Sequence, residues 1–238
     1  MPIPQNLNNI KSQLPPHVTL VAVSKTKPVN DLMEAYNAGQ RIFGENYVQE
    51  LVEKHQELPK DIQWHFIGHL QTRKVKLIAP FVSLIHGVDS FKLLLEINKQ
   101  AEKNNRVIDC LLQIFIADEE TKFGLDEKEL AEILASDDFQ KLKNIKIVGL
   151  MGMASFTDNQ NQIEKEFKHL KTIFNKLQPL DTVDSEQAKQ TSNLKLETLS
   201  MGMSGDYQLA ISCGSNMVRI GSSIFGSRSP LTPEGGTL

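Results

Sequence analysis

The sequence predicts a closed (β/α)8 barrel, the TIM-barrel class of α/β folds, in one domain. Three observations lead there. Eight short, mostly apolar runs are each followed by a helical pattern or a short helical turn, and strict alternation of this kind means a parallel sheet sheathed by helices. The length of 238 residues is close to the roughly 250 of a single barrel. The GxGxxG turn expected after the first strand of a dinucleotide-binding open sheet is missing, which leaves the open doubly wound sheet as the weaker alternative.

The elements follow in order. Residues 6–14 suit one short helix, which Pro15 and Pro16 break. VTLVAVSKTKP, 18–28, holds a buried strand over 18–24 that delivers a lysine to its C-terminal end before a proline stops it. Alternation sets Thr19, Val21, Val23 and Lys25 on one face and Val18, Leu20, Ala22 and Ser24 on the other. Val29, Leu32, Met33 and Tyr36 are spaced for a helix that Gly39 ends. RIFGEN, 41–46, is a very short strand, and Tyr47 to His55 repeats at helical spacing up to Pro59. IQWHFIG, 62–68, is the third strand, followed by a short helix from Leu70 to Ala79.

FVSLIHGVD, 81–89, is the fourth strand, and Ser90 caps the next helix. VIDCLLQIFI, 107–116, reads as the longest buried strand, and Asp126 with Glu129 forms a capping box. IKIVGLMGM, 145–153, is the sixth strand. Ile163, Phe167, Leu170, Phe174 and Leu177 make the best amphipathic helix. Pro179 to Asn193 reads as loop, and Leu196 to Ser200 as the seventh strand. Ser204 or Asp206 then caps a short helix through Ile211, and Met217 to Ile220 is the last strand. The barrel is expected to occupy residues 1–228, with a mobile tail over 229–238 that is rich in Pro, Gly, Ser and Thr.

Composition narrows the function. Apolar residues make up 40% and charged residues 23%, an ordinary globular balance. A net charge of −3 argues against a nucleic-acid partner, which asks for a basic face. Cys110 and Cys213 stand far apart in no metal or redox spacing, as expected of buried thiols in a reducing compartment. No leader-like apolar core and no membrane-length run is present, so the expectation is a cytoplasmic protein with no membrane partner and no metal.

In such a barrel the chemistry sits at the C-terminal ends of the strands. Lys25 lies there after the first strand. Two readings of it stand: a lysine that turns to water or pairs with a carboxylate, and a partly desolvated amine able to form an imine with an aldehyde. Arg219 lies one residue before the end of the eighth strand, so its charge needs a partner. Gly221, Ser222 and Ser223 open a short helical turn, and Ser204 and Gly205 could wall it from the other side. Together these make a phosphate cradle after strands seven and eight. An amine, a phosphate seat across the mouth and an arginine between them compose the site expected for pyridoxal 5'-phosphate (PLP). Lys25 would bond its aldehyde carbon, Ser204 and the Gly221–Ser222 turn would hold its phosphate, and Arg219 would face its ring nitrogen.

Five segments, VAVSKTKP, FGENYVQE, WHFIGHLQ, SMGMSGD and MVRIGSSIFG, occur in matching order from Val18 to Arg228. They resemble the pyridoxal phosphate homeostasis proteins, cousins of the alanine racemase barrel. The resemblance implies a single-domain barrel of the alanine racemase N-terminal type that holds PLP as a lysine Schiff base. It also implies a part in balancing vitamin B6 and amino-acid pools, without established turnover. By position it assigns the Schiff-base lysine to Lys25 and pocket lining to Asn46, His65 and Met151. It assigns the phosphate segment to Ser200, Ser204, Gly221 and Ser222, and the ring-nitrogen contact to Arg219. Lys27 reads as a rim charge whose repulsion favours the neutral amine at Lys25. Arg73 and Gly205 depart from the family pattern, which commonly has asparagine and an acidic residue there.

An arginine at the ring nitrogen cannot accept its proton, and racemisation would need a second acid–base group opposite the lysine. The tyrosines are Tyr36, Tyr47 and Tyr207, none expected on that face, and with Leu238 as the last residue read the second domain that supplies one in the racemases is not expected. A monomeric PLP carrier serving apo PLP enzymes is therefore the first reading. The alternatives are a PLP-dependent racemase or lyase acting on a small amino acid, and a barrel binding another phosphate ester.

Overall fold

The computed structural model describes residues 2–118, 123–178 and 193–226. The strands are β1 (Thr19–Val23), β2 (Ile42–Glu45), β3 (Gln63–Phe66), β4 (Leu84–Val88), β5 (Ile108–Gln113), β6 (Ile145–Met151), β7 (Leu194–Met203) and β8 (Met217–Ile220). They form a closed barrel in sequence order, all neighbours parallel, with β8 pairing back to β1. The helices are α1 (Ile3–Gln13), α2 (Val29–Asn37), α3 (Val48–Glu57), α4 (Val75–Ile78), α5 (Phe91–Lys103), α6 (Glu127–Ala135), α7 (Asp137–Gln140), α8 (Gln160–Leu177), α9 (Tyr207–Ser212) and α10 (Ser222–Phe225). This is the single-domain (β/α)8 architecture that the alternation implied. Among the described residues, no helix is long and apolar enough to cross a membrane.

Closure divides the core in two. Between sheet and helices lies the large layer that includes Phe43, Trp64, Phe66, Phe139 and Phe167. Inside the barrel Val21, Leu84, Leu111, Met151 and Met217 form a small plug. Each fully buried side chain of this size contributes about 1.5–3 kcal/mol over leaving it in water. The ridge Ile163, Phe167, Leu170 and Phe174 is the buried face of α8. Ser90 accepts from the Leu93 N–H at 3.3 Å, and the Asp126–Glu129 capping box is complete, so those local start signals act as read.

Elsewhere the structure corrects the sequence reading. β1 ends at Val23, and Thr26 sits at a φ of +60°, so a turn, and not continued alternation, brings Lys27 to the cavity that Lys25 lines. β5 stops at Gln113, and Ile114 makes only an isolated bridge to Leu125; the longest strand is β7, of 10 residues. β7 continues through Met203 because Gly202 takes a φ of +95° and the register with β8 shifts between Ser200 and Met203. Such a bulge re-aims the end of a strand, here toward the mouth. The helix expected from Leu70 is a short 3-10 turn, Thr72–Lys74, followed by α4. Neither Ser204 nor Asp206 caps α9 with its side chain: Ser204 Oγ accepts from the Gly221 N–H, and Asp206 Oδ1 from the Met203 N–H. Of the loop expected over 179–193, only Asn193 is described, buried with its Nδ2 donating to the Phe139 and Leu142 carbonyl oxygens; the rest of it and the tail expected over 229–238 lie outside the described residues.

Candidate functional site

The mouth at the C-terminal ends of the strands holds a cavity of about 430 Å³, within the roughly 300–1,000 Å³ of small-molecule sites. Each wall is delivered by a strand end. β1 supplies Val23 and the turn carrying Lys25 and Lys27, and the segment after β2 supplies Asn46. The end of β7 supplies Met203, Ser204 and Gly205, and β8 with its following turn supplies Arg219, Gly221 and Ser222. Two glycines keep these walls close. A Cβ at Gly68 would lie 2.3 Å from the Asn46 carbonyl oxygen, and one at Gly221 would lie 3.0 Å from that of Val23.

Arg219 is buried to 4% exposure. Its Nη1 donates to Ser200 O at 3.0 Å and to Ser200 Oγ at 2.7 Å, and its Nη2 donates to Gly152 O at 3.1 Å. These hydrogen-bond partners are neutral oxygens. Burial lowers its pKa to about 10, so the guanidinium stays charged at neutral pH and presents a positive field to the cavity floor. Across the mouth, Ser204 Oγ accepts from the Gly221 N–H at 3.2 Å, which ties the ends of β7 and β8 into one wall. Lys27 Nζ donates to Phe225 O at 2.9 Å and so fastens the β1 turn to α10.

Six of the nine residues singled out from the sequence line this cavity: Lys25, Asn46, Ser204, Arg219, Gly221 and Ser222. The other three lie deeper. Met151, expected at the wall, belongs to the apolar plug, and Met153 takes the wall position two residues on. Ser200 is fully buried and anchors Arg219. His65, also expected at the wall, is 5% exposed and bonds His86, with His86 Nε2 3.1 Å from His65 Nδ1. His86 Nδ1 in turn lies 3.4 Å from Ser200 Oγ.

Arg219 can only donate, so Ser200 Oγ accepts from it. Ser200 Oγ with His86 Nδ1, and His86 Nε2 with His65 Nδ1, each share one hydrogen, carried on the side that the ring tautomers set. Both rings are neutral. Burial pushes the His65 pKa down to about 3, and burial, helped by His65 and the Arg219 charge, pushes that of His86 down as well.

His86 was missed in the sequence, although a histidine inside the apolar run LIHGV was a signal. Ile67, Met153, Phe156 and Met203, also on the cavity wall, gave none, because apolar residues at strand ends look like core. Tyr36 donates to Asp61 and Tyr207 to Gln13, while Tyr47 is 57% exposed; none of the three lines the cavity.

Comparison with known proteins gives a consistent set of similarities. Residues 2–229 match the family described as alanine racemase, N-terminal domain. A protein of Haemophilus influenzae named pyridoxal phosphate homeostasis protein is 40% identical, over 91% of this chain and 88% of its own. One of the same name from Escherichia coli is 38% identical, over 90% of this chain and 87% of its own. PipY of Synechococcus elongatus, solved with PLP bound, superposes with a TM-score of 0.82 at 36% identity, covering 94% of this chain and all of that one. An alanine racemase of Clostridium difficile superposes at a TM-score of 0.73 with 19% identity. That likeness is one of fold, and this chain covers 56% of the racemase's length.

Proposed function

The chain belongs to the pyridoxal phosphate homeostasis proteins within the alanine racemase N-terminal domain family, and from that premise we propose that it binds PLP through Lys25 and serves vitamin B6 and amino-acid homeostasis without turnover of its own. The observation that carries this reading is the composition of the mouth cavity. One 430 Å³ space is lined together by the β1 lysine, the β8 arginine, and the Ser204 and Gly221–Ser222 wall.

The residues suit the cofactor. Lys25 is half-buried on the cavity wall, as an amine that must bond an aldehyde carbon requires. A Cβ at Gly205 would meet nothing within 4 Å, so that stretch of wall is bare backbone open to a phosphate. The first backbone N–H groups of a helical turn have no partner within it, and the wall after β8 includes Ser222 at the start of such a turn. PLP, when bound, supplies an aldehyde and an electron-withdrawing ring. Arg219 would donate to the ring nitrogen. That leaves the nitrogen unprotonated and the ring a weaker electron sink than a carboxylate partner would give.

The absence of turnover is supported by where the acid–base candidates point. Tyr36 and Tyr207 are engaged with Asp61 and Gln13, away from the cavity. His65 and His86 are buried beneath it and held neutral. Phe156, at the mouth, is 94% exposed, which suits a cofactor handed on to an apo PLP enzyme.

Borohydride reduction of the PLP-loaded protein followed by peptide mapping tests the assignment. A pyridoxyl adduct is expected on Lys25 and not on Lys27. Lys25→Ala should lose the imine absorbance and keep its fold. An adduct elsewhere, or a protein that never yellows with PLP, overturns the reading. Exchange of an amino acid's α-proton into deuterated water at about 1 per second or faster would instead establish a racemase or lyase.

A further inference from the structure

Behind the β1 strand end, on the side away from the cavity, lies a second cluster of charge. Lys54, on α3, is buried, with a side chain 5% exposed beside the fully buried Glu45 of β2. Its Nζ donates to Glu45 Oε1 at 2.7 Å, to Glu50 Oε1 at 2.6 Å and to the Ser24 carbonyl oxygen at 2.7 Å. Ser24 Oγ donates to Glu45 Oε1 at 2.6 Å, and the Thr26 N–H donates to Glu50 Oε1 at 2.6 Å. The residue before Lys25 and the residue after it are therefore both bonded to this one cluster. Thr26 is held there at a φ of +60°, a left-handed conformation that a β-branched residue seldom adopts.

A buried cation with two carboxylates is costly to assemble, and strained backbone persists only where its surroundings over-determine it. Neither feature is needed to close the barrel, since β1 already pairs β2 through Ala22 and Val23. What the cluster does fix is the peptide on each side of Lys25, and so the direction in which that side chain leaves the chain.

We infer that Lys54, with Glu45 and Glu50, is the positioning group for Lys25: it clamps the Ser24 carbonyl and, through Glu50, the Thr26 amide, so that the amine is aimed at the cofactor aldehyde. The inference rests on the proposed PLP site and names residues that do not touch the cavity. The step it assists is reversible condensation. The amine nitrogen forms a bond to the aldehyde carbon, and the aldehyde oxygen leaves as water with the two amine protons. The amine lone pair must point at the carbonyl carbon, and a misplacement of about 1 Å costs such a reaction up to roughly a hundredfold. Binding through phosphate and ring alone makes no such demand.

The test uses the full chain with two ligands, PLP and 4'-deoxypyridoxine 5'-phosphate, which lacks the aldehyde. The variants are Glu50→Gln, which removes the charge that holds the Thr26 amide, and Glu45→Gln/Lys54→Met, which replaces the buried pair at similar volume. In each, the rate constant for imine formation, read as the growth of imine absorbance, should fall about tenfold or more, while the deoxy analogue binds within about twofold of wild type. Imine formation unchanged in folded variants overturns the inference. Equal losses for both ligands also overturn it, because the cluster would then shape the cavity and not aim the amine. If wild type itself forms no imine, the inference falls together with the PLP reading, and the wild-type measurement alone shows that outcome.

Discussion

Two buried polar clusters flank the mouth of this barrel, and they are built on opposite principles. On the β1–β2 side, Ser24, Glu45, Glu50 and Lys54 form a charged knot in which one ammonium serves two carboxylates and a carbonyl. Beneath the cavity, Arg219 is satisfied by a serine and two carbonyl oxygens, and its hydroxyl partner leads on to two neutral histidines. The first cluster neutralises its cation where it stands. The second leaves its cation with neutral acceptors, so the field of Arg219 still acts in the cavity. The contrast separates two tasks: holding backbone rigid, where ion pairs are spent locally, and presenting charge to a bound molecule, where they must not be.

The largest test of this contrast is acidification of the histidine side. The unfolded chain binds a proton at His65 near its ordinary 6.5, and the folded chain resists until about 3. Stability from this group is therefore complete above 6.5 and is lost as pH falls toward 3. The full loss is on the order of 5 kcal/mol. Relative to His65→Gln, the wild-type denaturant midpoint should therefore fall as pH drops from about 7 to about 4. A slope unchanged in the variant would mean that the ring does not resist protonation as its burial implies.

On the charged side the next effect is structural. Lys54→Met leaves Glu45 and Glu50 without their shared cation, and breaking one partner out of a buried pair costs about 3–5 kcal/mol. Glu45→Gln/Lys54→Met removes both buried charges and should recover most of that loss, as measured by urea unfolding. If the double variant is no more stable than the single, the knot is not an isolated charge balance and the contrast weakens.

The sequence carried some of this arrangement plainly. Apolar runs ending in Lys25 and Arg219 give both strand and face, because burial and alternation are local. The caps at Ser90 and Asp126 were legible for the same reason. Depth along a strand was not. His65, Met151 and Ser200 share an inward face with the cavity residues but lie a layer beneath it, and a period of two residues reports face without level. Nothing in the sequence singled out Lys54 on its amphipathic helix, since the carboxylate that buries it comes from β2. The turn at Thr26 broke the alternation that would have placed Lys27, and nothing in the side chain of a threonine announces a positive φ.

Alkalisation tests the charged side with the opposite sign. Burial raises the Glu45 carboxyl from 4.5 to about 7 against the pull of Lys54, and its Oε2 has no hydrogen-bond partner. The folded chain thus keeps a proton that the unfolded chain has released. Stability from this group is complete below 4.5 and is lost as pH rises through about 7, by on the order of 3 kcal/mol. In wild type this opposes the histidine slope over a shared range. Glu45→Gln should therefore make the midpoint rise more steeply between about pH 5 and pH 7, and an unchanged curve would show that Glu45 is ionised throughout.

The smallest effect isolates a single hydroxyl. Ser24 Oγ donates to Glu45 Oε1 at 2.6 Å in a fully buried setting, and that bond favours the ionised carboxylate. Removing it in Ser24→Ala should raise the Glu45 pKa further. Below 4.5 the carboxyl is protonated in the folded and the unfolded chain alike, so the variant costs little there. At neutral pH, where the hydroxyl helps to carry the charge, the cost should grow to about 1–2 kcal/mol. Urea midpoints of wild type and variant should thus nearly coincide in acid and separate as pH rises. A cost equal at both ends would mean that Ser24 acts through packing, and that the charge of the knot is held by Lys54 alone.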